Sequence, residues 1–274
     1  MRPCCMADDV LFAYYARDQE RDRLARGVGR LEFLRTIEVI GRTLPPAPAV
    51  VADIGGGPGR YTDWLTDLGY TVHHRDLVAD HVEHVRSRHP RLDTRVGDAR
   101  SLDLHDGCVD AVLLLGPIYH LRERSDRLQA LREACRIVRG NGVVHVAAIS
   151  RWAARLDGIL VQRLHETRPQ LVDIVDEAEQ TGWVRPAHDG GFSCATHTPA
   201  DLRTELSDAG LRVDALVSLE GIGFALSDID ARLEDSVQRA LVLDTLRSVE
   251  SVPDLLGVGP HILATAIAER TRSQ

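Results

Sequence analysis

Hydrophobic and polar positions change their spacing along the chain in a way that predicts alternating strands and helices. Short apolar runs rich in β-branched residues predict five strands, at Val50–Ile54, Thr71–Asp76, Thr94–Gly97, Asp110–Leu115 and Val143–Ile149. Apolar residues at helical spacing predict helices between them, at Tyr61–Leu68, Val78–Arg88 and Asp126–Val138. Strands that alternate with helices are typical of a parallel sheet with crossover helices, so the sequence predicts a doubly wound α/β fold.

The chain on either side of this core has a different pattern. Before the prolines at 45, 46 and 48 it is charged, with an apolar stripe at helical spacing, and after Ser150 the alternation stops for more than forty residues. A recognisable pattern returns at Thr198-Pro199-Ala200-Asp201, which predicts the capped start of a helix. Two more strands, Leu211–Leu219 and His261–Ala268, are predicted around a helical segment at 230–249. We therefore expect an N-terminal helical cap (1–48), a core (49–150), a helical insertion or lid (151–197) and a C-terminal part of the sheet (198–274).

Composition and charge exclude several classes of function. All 33 basic residues are arginine, and with 41 acidic residues they leave a net charge of −8. Without lysine the chain cannot use Schiff-base or pyridoxal-phosphate chemistry, a GK[ST] phosphate loop or a kinase strand lysine. A negative chain repels phosphate backbones, so no nucleic-acid partner is expected. Five scattered cysteines and the lack of an apolar run near ~20 residues predict a cytoplasmic protein with no membrane partner.

A glycine turn follows the first predicted strand, in the run Val51-Ala52-Asp53-Ile54-Gly55-Gly56-Gly57-Pro58-Gly59-Arg60. A strand, a glycine turn and a helix in this order let backbone N–H groups approach a nucleotide-like ligand closely. The dinucleotide fingerprint requires a small residue at the sixth position from Gly55, and Arg60 stands there, which weakens a nicotinamide interpretation. Asp53 lies two residues before the turn, where a carboxylate suits a ligand that carries positive charge.

Two more acidic residues follow the next two strands. Asp76 ends the second strand, about twenty residues after the glycines, where a carboxylate can accept both hydroxyls of a ribose. Asp98 follows the third strand, where it can accept from the exocyclic amine of adenine. Because ligands of open α/β sheets bind at the carboxyl edge, all three acids are expected to face one crevice.

Together these segments resemble the class I S-adenosylmethionine-dependent methyltransferases. The likeness rests on DIGGGPG at Asp53–Gly59, the strand end at Asp76, GDA at Gly97–Ala99 and AVLLLG at Ala111–Gly116. The run LGPIYHL at 115–121 is similar to a bacterial subgroup that has LGPLYHL there. The resemblance covers about residues 50–150 and implies S-adenosyl-L-methionine as cofactor. It also implies a Rossmann-like seven-stranded sheet whose last strand, 261–268, runs antiparallel.

The resemblance further implies which residues border the cofactor. They are Asp53, Gly55, Gly57 and Gly59 at the methionine part, Asp76 with Leu77 at the ribose, Asp98 with Ala99 at the adenine, and Leu115 with Gly116 at the sulfonium side. Tyr15, in the N-terminal segment, would present an aromatic face to the sulfonium, and Arg35 would pair with the methionine carboxylate. For Tyr15 and Arg35, an ordinary packing or surface role is the alternative.

His120 and Tyr119 are the candidate catalytic residues, because they follow the fourth strand at the mouth of the crevice. An imidazole with an ordinary pKa of ~6.5 can remove a proton from an acceptor at neutral pH, and a purely structural role for His120 is an equal alternative. His81 and His84 stand at helical spacing without a matching carboxylate or cysteine set, so we expect surface residues and no metal site.

The sequence therefore favours a methyltransferase that acts on a small-molecule acceptor, such as a natural-product or secondary-metabolite intermediate. The acceptor would be enclosed by the N-terminal helices and the insertion at 151–197. Two alternatives stay open: a protein that binds S-adenosylmethionine without methyl transfer, and a nicotinamide-dependent oxidoreductase. Oxygen, nitrogen, carbon and sulfur acceptors all fit this scaffold, and both a monomer and a homodimer are compatible with the sequence.

Overall fold

The structure is a computed structural model that describes residues 22–188 and 191–269. Its centre is a mixed sheet with the order β3-β2-β1-β4-β5-β9-β8, in which β1 to β5 are parallel and β9 is antiparallel to both of its neighbours. The strands are β1 Val50–Ile54, β2 Thr71–Asp76, β3 Asp93–Val96, β4 Val109–Leu114, β5 Val138–Ser150, β6 Trp183–Val184, β7 Cys194–His197, β8 Leu211–Ser218 and β9 His261–Ala268. The doubly wound sheet with an antiparallel last strand is thus confirmed.

Helices cover both faces of this sheet. They are α1 Gly27–Gly41, α2 Arg60–Asp67, α3 Ala79–Arg88, α4 Pro117–His120, α5 Arg124–Ile137, α6 Leu171–Thr181, α7 Pro199–Asp208, α8 Ile229–Glu234 and α9 Ser236–Val249. The segment expected as one helix at 230–249 is two helices, because the carboxylate of Asp235 accepts the N–H groups of Val237 and Gln238 and so starts α9. None of the helices in the described ranges is both long and apolar enough to cross a membrane.

Two apolar layers hold the sheet, one on each face. Ile54 of β1 packs in a buried cluster with Leu131 of α5 and Leu206 of α7. Val51 of the same strand belongs to the other cluster, with Ile40 of α1. Successive residues of a strand point to opposite faces, so both faces of the parallel strands are buried and polar ligands can be met only at the strand ends.

The segment after β5 contains more than helices. It includes a π-helix at Ala154–Val161, helix α6 and the strand pair β6–β7. Strand β7 then pairs with the end of β5, through Ile149 with Thr196 and Ser150 with His197. The sequence did not predict β6 and β7, because two to four residues carry too little periodicity to indicate a strand. The division into four segments stays a prediction.

The start of α7 offers a test of local stability. The Thr198 hydroxyl accepts the N–H of Asp201 at 3.1 Å, and the Asp201 carboxylate accepts the N–H of Thr198 at 3.0 Å. We expect Thr198→Ala to lower the free energy of unfolding by about 1 kcal/mol, because one helix N–H then loses its acceptor. Urea denaturation measures this change. The exposed Thr204→Ala, in the same helix, is the control, and equal effects of the two substitutions would contradict the capping role.

Candidate active site

A cavity of about 430 Å³ lies at the carboxyl ends of the parallel strands, within the range of ~300–1,000 Å³ typical of small-ligand sites. It is lined by the turn after β1, the ends of β2 to β4, helix α4 and the buried side of α1. The predicted site residues on its wall are Asp53, Gly55, Gly57, Asp76, Leu77, Asp98, Ala99, Leu115, Gly116, Tyr119 and His120. Strand polarity explains why they meet, since five parallel strands end at one edge.

The glycine turn forms an open cradle in this wall. Gly55 and Gly57 have φ angles of +66° and +55°, and a Cβ on Gly57 would meet no protein atom within 4 Å. The space in front of its backbone is therefore free for a ligand. Gly59 corrects an expectation, because it does not line the cavity. It has φ +88°, and a Cβ there would lie 2.6 Å from Cγ2 of Val85 in α3, so glycine is needed for packing.

Asp76 connects two loops of the site through hydrogen bonds. Its Oδ2 accepts the N–H of Gly57 at 2.7 Å, and its Oδ1 accepts the N–H of Val78 at 2.8 Å and lies 3.1 Å from Nδ1 of His81. Burial acts to raise the pKa of the Asp76 carboxyl, but these partners lower it below the ordinary value. His81 was expected at the surface, yet it lines the cavity beside this carboxylate.

The other two strand-end acids differ in their surroundings. Asp53 is buried and accepts the Thr62 hydroxyl at 2.7 Å, and burial raises the pKa of its carboxyl. A positive charge bound in the cavity would favour its ionised form. Asp98 accepts two N–H groups of the Arg100 guanidinium at 2.7 and 3.0 Å. This pairing lowers the pKa of Asp98 against the effect of burial and uses part of its accepting capacity.

Arg35 does not take the position expected for a partner of a methionine carboxylate. It is fully buried and does not line the cavity: its Nε donates to the Leu219 carbonyl, and the guanidinium pairs with Glu38 and Glu250. Glu32 and Thr36 of the same helix line the cavity, whereas Arg35 does not, because its guanidinium is held by Glu38 and Glu250. The expectation for Arg35 is therefore corrected. Tyr15 lies outside the described residues.

His120 and Tyr119 lie on α4 in the cavity wall. Their rings meet edge-on at 4.7 Å between centroids, and Phe192 packs edge-on against His120 at 6.0 Å. Burial lowers the pKa of His120 to about 4, with Asp76 acting in the opposite direction. The imidazole is thus neutral at pH 7 but a weaker base than its ordinary pKa would make it. Phe192 belongs to the insertion, although none of the described insertion residues lines the cavity, and the expected enclosure of the acceptor by that segment stays a prediction.

The sequence did not predict a charged cluster at the cavity, which we call the His261 cluster: Arg23, Glu32, Glu220 and His261. Nδ1 of His261 lies 2.6 Å from Oε1 of Glu220 and 3.8 Å from Oε2 of Glu32, and Arg23 pairs with Glu32. One signal was available. An antiparallel last strand begins at the edge where the parallel strands end, so the first residue of β9 had to lie near the crevice.

The His261 cluster is balanced by charges of the chain itself. Burial lowers the pKa of His261, but Glu32 and Glu220 more than compensate and raise it to about 9. Burial acts to raise the pKa of the Glu32 carboxyl, but Arg23 and His261 outweigh burial and lower it below the ordinary value. The ligand atoms of Glu32, Glu220 and His261 lie within 4.8 Å of one another, as in a metal site. Since both carboxylates already have cationic partners, the cluster gives no argument for a metal.

Part of the chain is similar to known proteins. Residues 52–146 match the family model for a methyltransferase domain. A protein of Mycolicibacterium smegmatis, described as a probable S-adenosylmethionine-dependent methyltransferase, is 36% identical over 101 residues, which are 37% of this chain and 38% of that protein. The chain thus spans well under half of that relative. Demethylmenaquinone methyltransferase of Beutenbergia cavernae is 28% identical over 75% of this chain and 93% of its own length.

A solved structure shows the same fold over nearly the whole chain. It is a methyltransferase of Thermotoga maritima, described as a possible histamine N-methyltransferase, with a TM-score of 0.59 and 18% identity over 94% of this chain and 99% of its own. The sheet, the glycine turn and these matches agree with a class I S-adenosylmethionine-dependent methyltransferase domain. Because residues 52–146 match the model for a methyltransferase domain, the nicotinamide alternative is set aside.

S-adenosyl-L-methionine is the cofactor of this class, and the cavity fits it. The Gly57 backbone faces open space, the Asp76 carboxylate lies at the end of β2, and Asp98 and Ala99 line the wall beyond it. Asp53 supplies a buried carboxylate whose ionised form a cationic ligand would favour. The assignment of each residue to one part of the cofactor stays a prediction.

Removal of the Asp76 carboxylate tests this assignment. We expect Asp76→Ala to weaken the binding of S-adenosylmethionine by about 100-fold or more, because a charged acceptor and two loop hydrogen bonds are lost together. Isothermal titration calorimetry measures the affinity. Asp80→Ala, an exposed acid on α3 outside the cavity, is the matched control. Unchanged affinity in Asp76→Ala would contradict the predicted role.

The raised pKa of His261 predicts a pH dependence of stability. The folded state binds this proton up to pH about 9, whereas the unfolded state releases it near ~6.5, so the stabilisation is complete below pH 6.5 and is lost as the pH rises to 9. His261→Asn keeps a donor near Glu220 but does not titrate. We expect the difference in unfolding free energy between the wild type and this variant to fall by about 3 kcal/mol from pH 6 to pH 9.5. A constant difference in urea denaturation would contradict the prediction.

Proposed function

We propose that the protein transfers a methyl group from S-adenosylmethionine to a small-molecule acceptor bound in the same cavity. One observation carries this proposal. The cavity that contains the glycine turn and the strand-end acids is also lined by polar side chains that the predicted cofactor contacts do not use. These are His120 and Tyr119 on α4 and His261 on β9. An acceptor between them would lie beside Leu115 and Gly116, where the resemblance puts the sulfonium.

Each part of the wall has a proposed task. When bound, the cofactor supplies a methyl group that its sulfonium already activates. The Gly57 backbone and Asp76 hold the nucleoside and methionine parts in one orientation, and Asp98 with Ala99 contacts the adenine. Methyl transfer requires the nucleophile, the methyl carbon and the sulfur to be in line, so orientation can supply about 7–11 kcal/mol of the barrier. Leu24, Leu115 and Leu219 exclude water from this line.

His120 and Tyr119 are proposed to orient the acceptor. A neutral imidazole accepts a hydrogen bond at one nitrogen and donates at the other, and burial keeps His120 neutral at physiological pH. The edge-on contacts with Tyr119 and Phe192 restrict the ring. The net charge of −8 supports a small molecule over a nucleic acid as acceptor. A natural-product or secondary-metabolite intermediate fits these requirements.

Isotope labelling tests the proposal directly. The enzyme is incubated with S-adenosylmethionine labelled in the methyl group and with the low-molecular-weight fraction of cell extracts, and mass spectrometry follows the label. We expect one metabolite to gain a labelled methyl group. His120→Ala should slow labelling about 10-fold or more, since one hydrogen bond to the acceptor is lost, while cofactor affinity stays unchanged.

The exposed His105→Ala is the control for this variant and should label at the wild-type rate. Retention of the cofactor with no labelled product from any extract would contradict methyl transfer. It would favour the alternative of a protein that binds S-adenosylmethionine for another purpose.

A further inference from the structure

We propose that His261, oriented by Glu220, accepts the proton of the methyl acceptor, and that the acceptor carries an acidic hydroxyl of the phenol or enol type. This inference rests on the proposed methyl transfer. It assigns His261 as a catalytic residue and Glu220 as a positioning residue, and leaves to His120 the orientation of the acceptor.

Glu220 determines which nitrogen of His261 is available. The Glu220 side chain is completely buried, and its Oε1 lies 2.6 Å from Nδ1 of His261. Its Oε2 accepts the backbone N–H of His261 at 3.2 Å. An ionised carboxylate only accepts hydrogen bonds, so Nδ1 carries the proton of the neutral ring. Within residues 22–188 and 191–269, no group hydrogen-bonds Nε2 of His261. Because His261 lines the cavity, Nε2 is the nitrogen that a bound acceptor meets.

The charges around His261 determine its strength as a base. Glu32 of α1 lies near His261 and pairs with Arg23. Glu220, in the turn after β8, and Asp157, in the π-helix, are the other acidic residues near the ring. The carboxylates outweigh burial and Arg23, so the pKa of His261 is raised to about 9. A base of this strength can accept the proton of a hydroxyl of similar acidity, and a phenol has a pKa near ~10. Only the neutral ring does so, and its fraction grows as the pH rises towards 9. His120, with a pKa of about 4, is poorly matched to such a group.

The apolar surface next to the cluster fits a ring-bearing acceptor. Leu219 precedes Glu220 and donates its N–H to the His261 carbonyl at 3.1 Å, so its side chain and His261 belong to one part of the wall. Ala147 of β5 and Leu24 also line the cavity. An aromatic or enolic ring can bury its face on these side chains while its hydroxyl reaches Nε2.

The proposed step is balanced in atoms and charge. A lone pair of the hydroxyl oxygen forms the new bond to the methyl carbon, and the bond from that carbon to sulfur breaks, with its electron pair left on sulfur. The hydroxyl proton passes to Nε2 of His261. The resulting imidazolium is stabilised by Glu220 and Glu32, and it returns the proton to water before the next turnover.

The test compares His261→Asn and Glu220→Gln with the wild type in the labelling reaction above, at pH values from 6 to 10. Wild-type labelling should rise about tenfold per pH unit and level off near pH 9, because only the neutral ring accepts a proton. His261→Asn should lose about 100-fold or more of the rate and this pH dependence, with unchanged cofactor affinity by calorimetry. His105→Asn, on an exposed residue, is the matched control.

Glu220→Gln supplies a second measurement that does not depend on His261→Asn folding. Loss of the carboxylate should lower the imidazole pKa of His261, measured by NMR titration of labelled histidine, and should move the plateau of the rate to lower pH by the same amount. The labelled product should carry its methyl group on oxygen.

The outcomes separate the two levels of the hypothesis. If the wild type binds cofactor and labels nothing, the proposed function fails, and the role of His261 fails with it. If the wild type labels a metabolite and His261→Asn does so at the same rate with the same pH profile, only the role of His261 is overturned. The role of His261 would also be overturned if His261→Asn lost cofactor affinity as strongly as it lost rate. A product methylated on nitrogen or carbon would overturn it too. So would a rate plateau in Glu220→Gln that does not move with the imidazole pKa of His261.

Discussion

The carboxylate of Asp76 is the interaction on which the rest of the site depends. It accepts backbone N–H groups from Gly57 and Val78, which belong to the turns after two neighbouring strands. The Asp76 side chain is the acceptor for both N–H groups, so this one carboxylate sets the position of both turns. Strand polarity makes this possible, because β1 and β2 are parallel and end at one edge. The glycine cradle therefore depends on a residue nineteen positions away.

Two histidines in one cavity show how surroundings change the same side chain. His120 packs among aromatic rings, and burial holds its pKa at about 4. His261 is as strongly desolvated, but Glu32 and Glu220 raise its pKa to about 9. The first is neutral at physiological pH and suits hydrogen bonding, whereas the second is mostly protonated there and releases its proton as the pH approaches 9. Pairs of groups with pKa values moved apart in this way are typical of active sites.

Local sequence signals predicted much of the fold. The bounds of β1 and β2 agree with the expected ones to the residue, and the capping box at Thr198 was visible as Thr-Pro-Ala-Asp. Long β-branched runs and caps depend on neighbours in sequence, so they can be seen without a structure. The β6–β7 pair and the division of the helix at Asp235 were missed, because short strands and single capping residues carry little periodic signal.

The sequence by itself determined the parallel sheet, the glycine turn and the acids at three strand ends, since each of these is set by residues close together in the chain. Only the tertiary structure decided which residues of α1 meet the cavity, and it showed Arg35 paired with Glu250 instead. It also decided that Glu32, Glu220 and His261 form one cluster, although nearly two hundred residues separate the first two. Contacts between distant segments depend on packing and register, which no local pattern records.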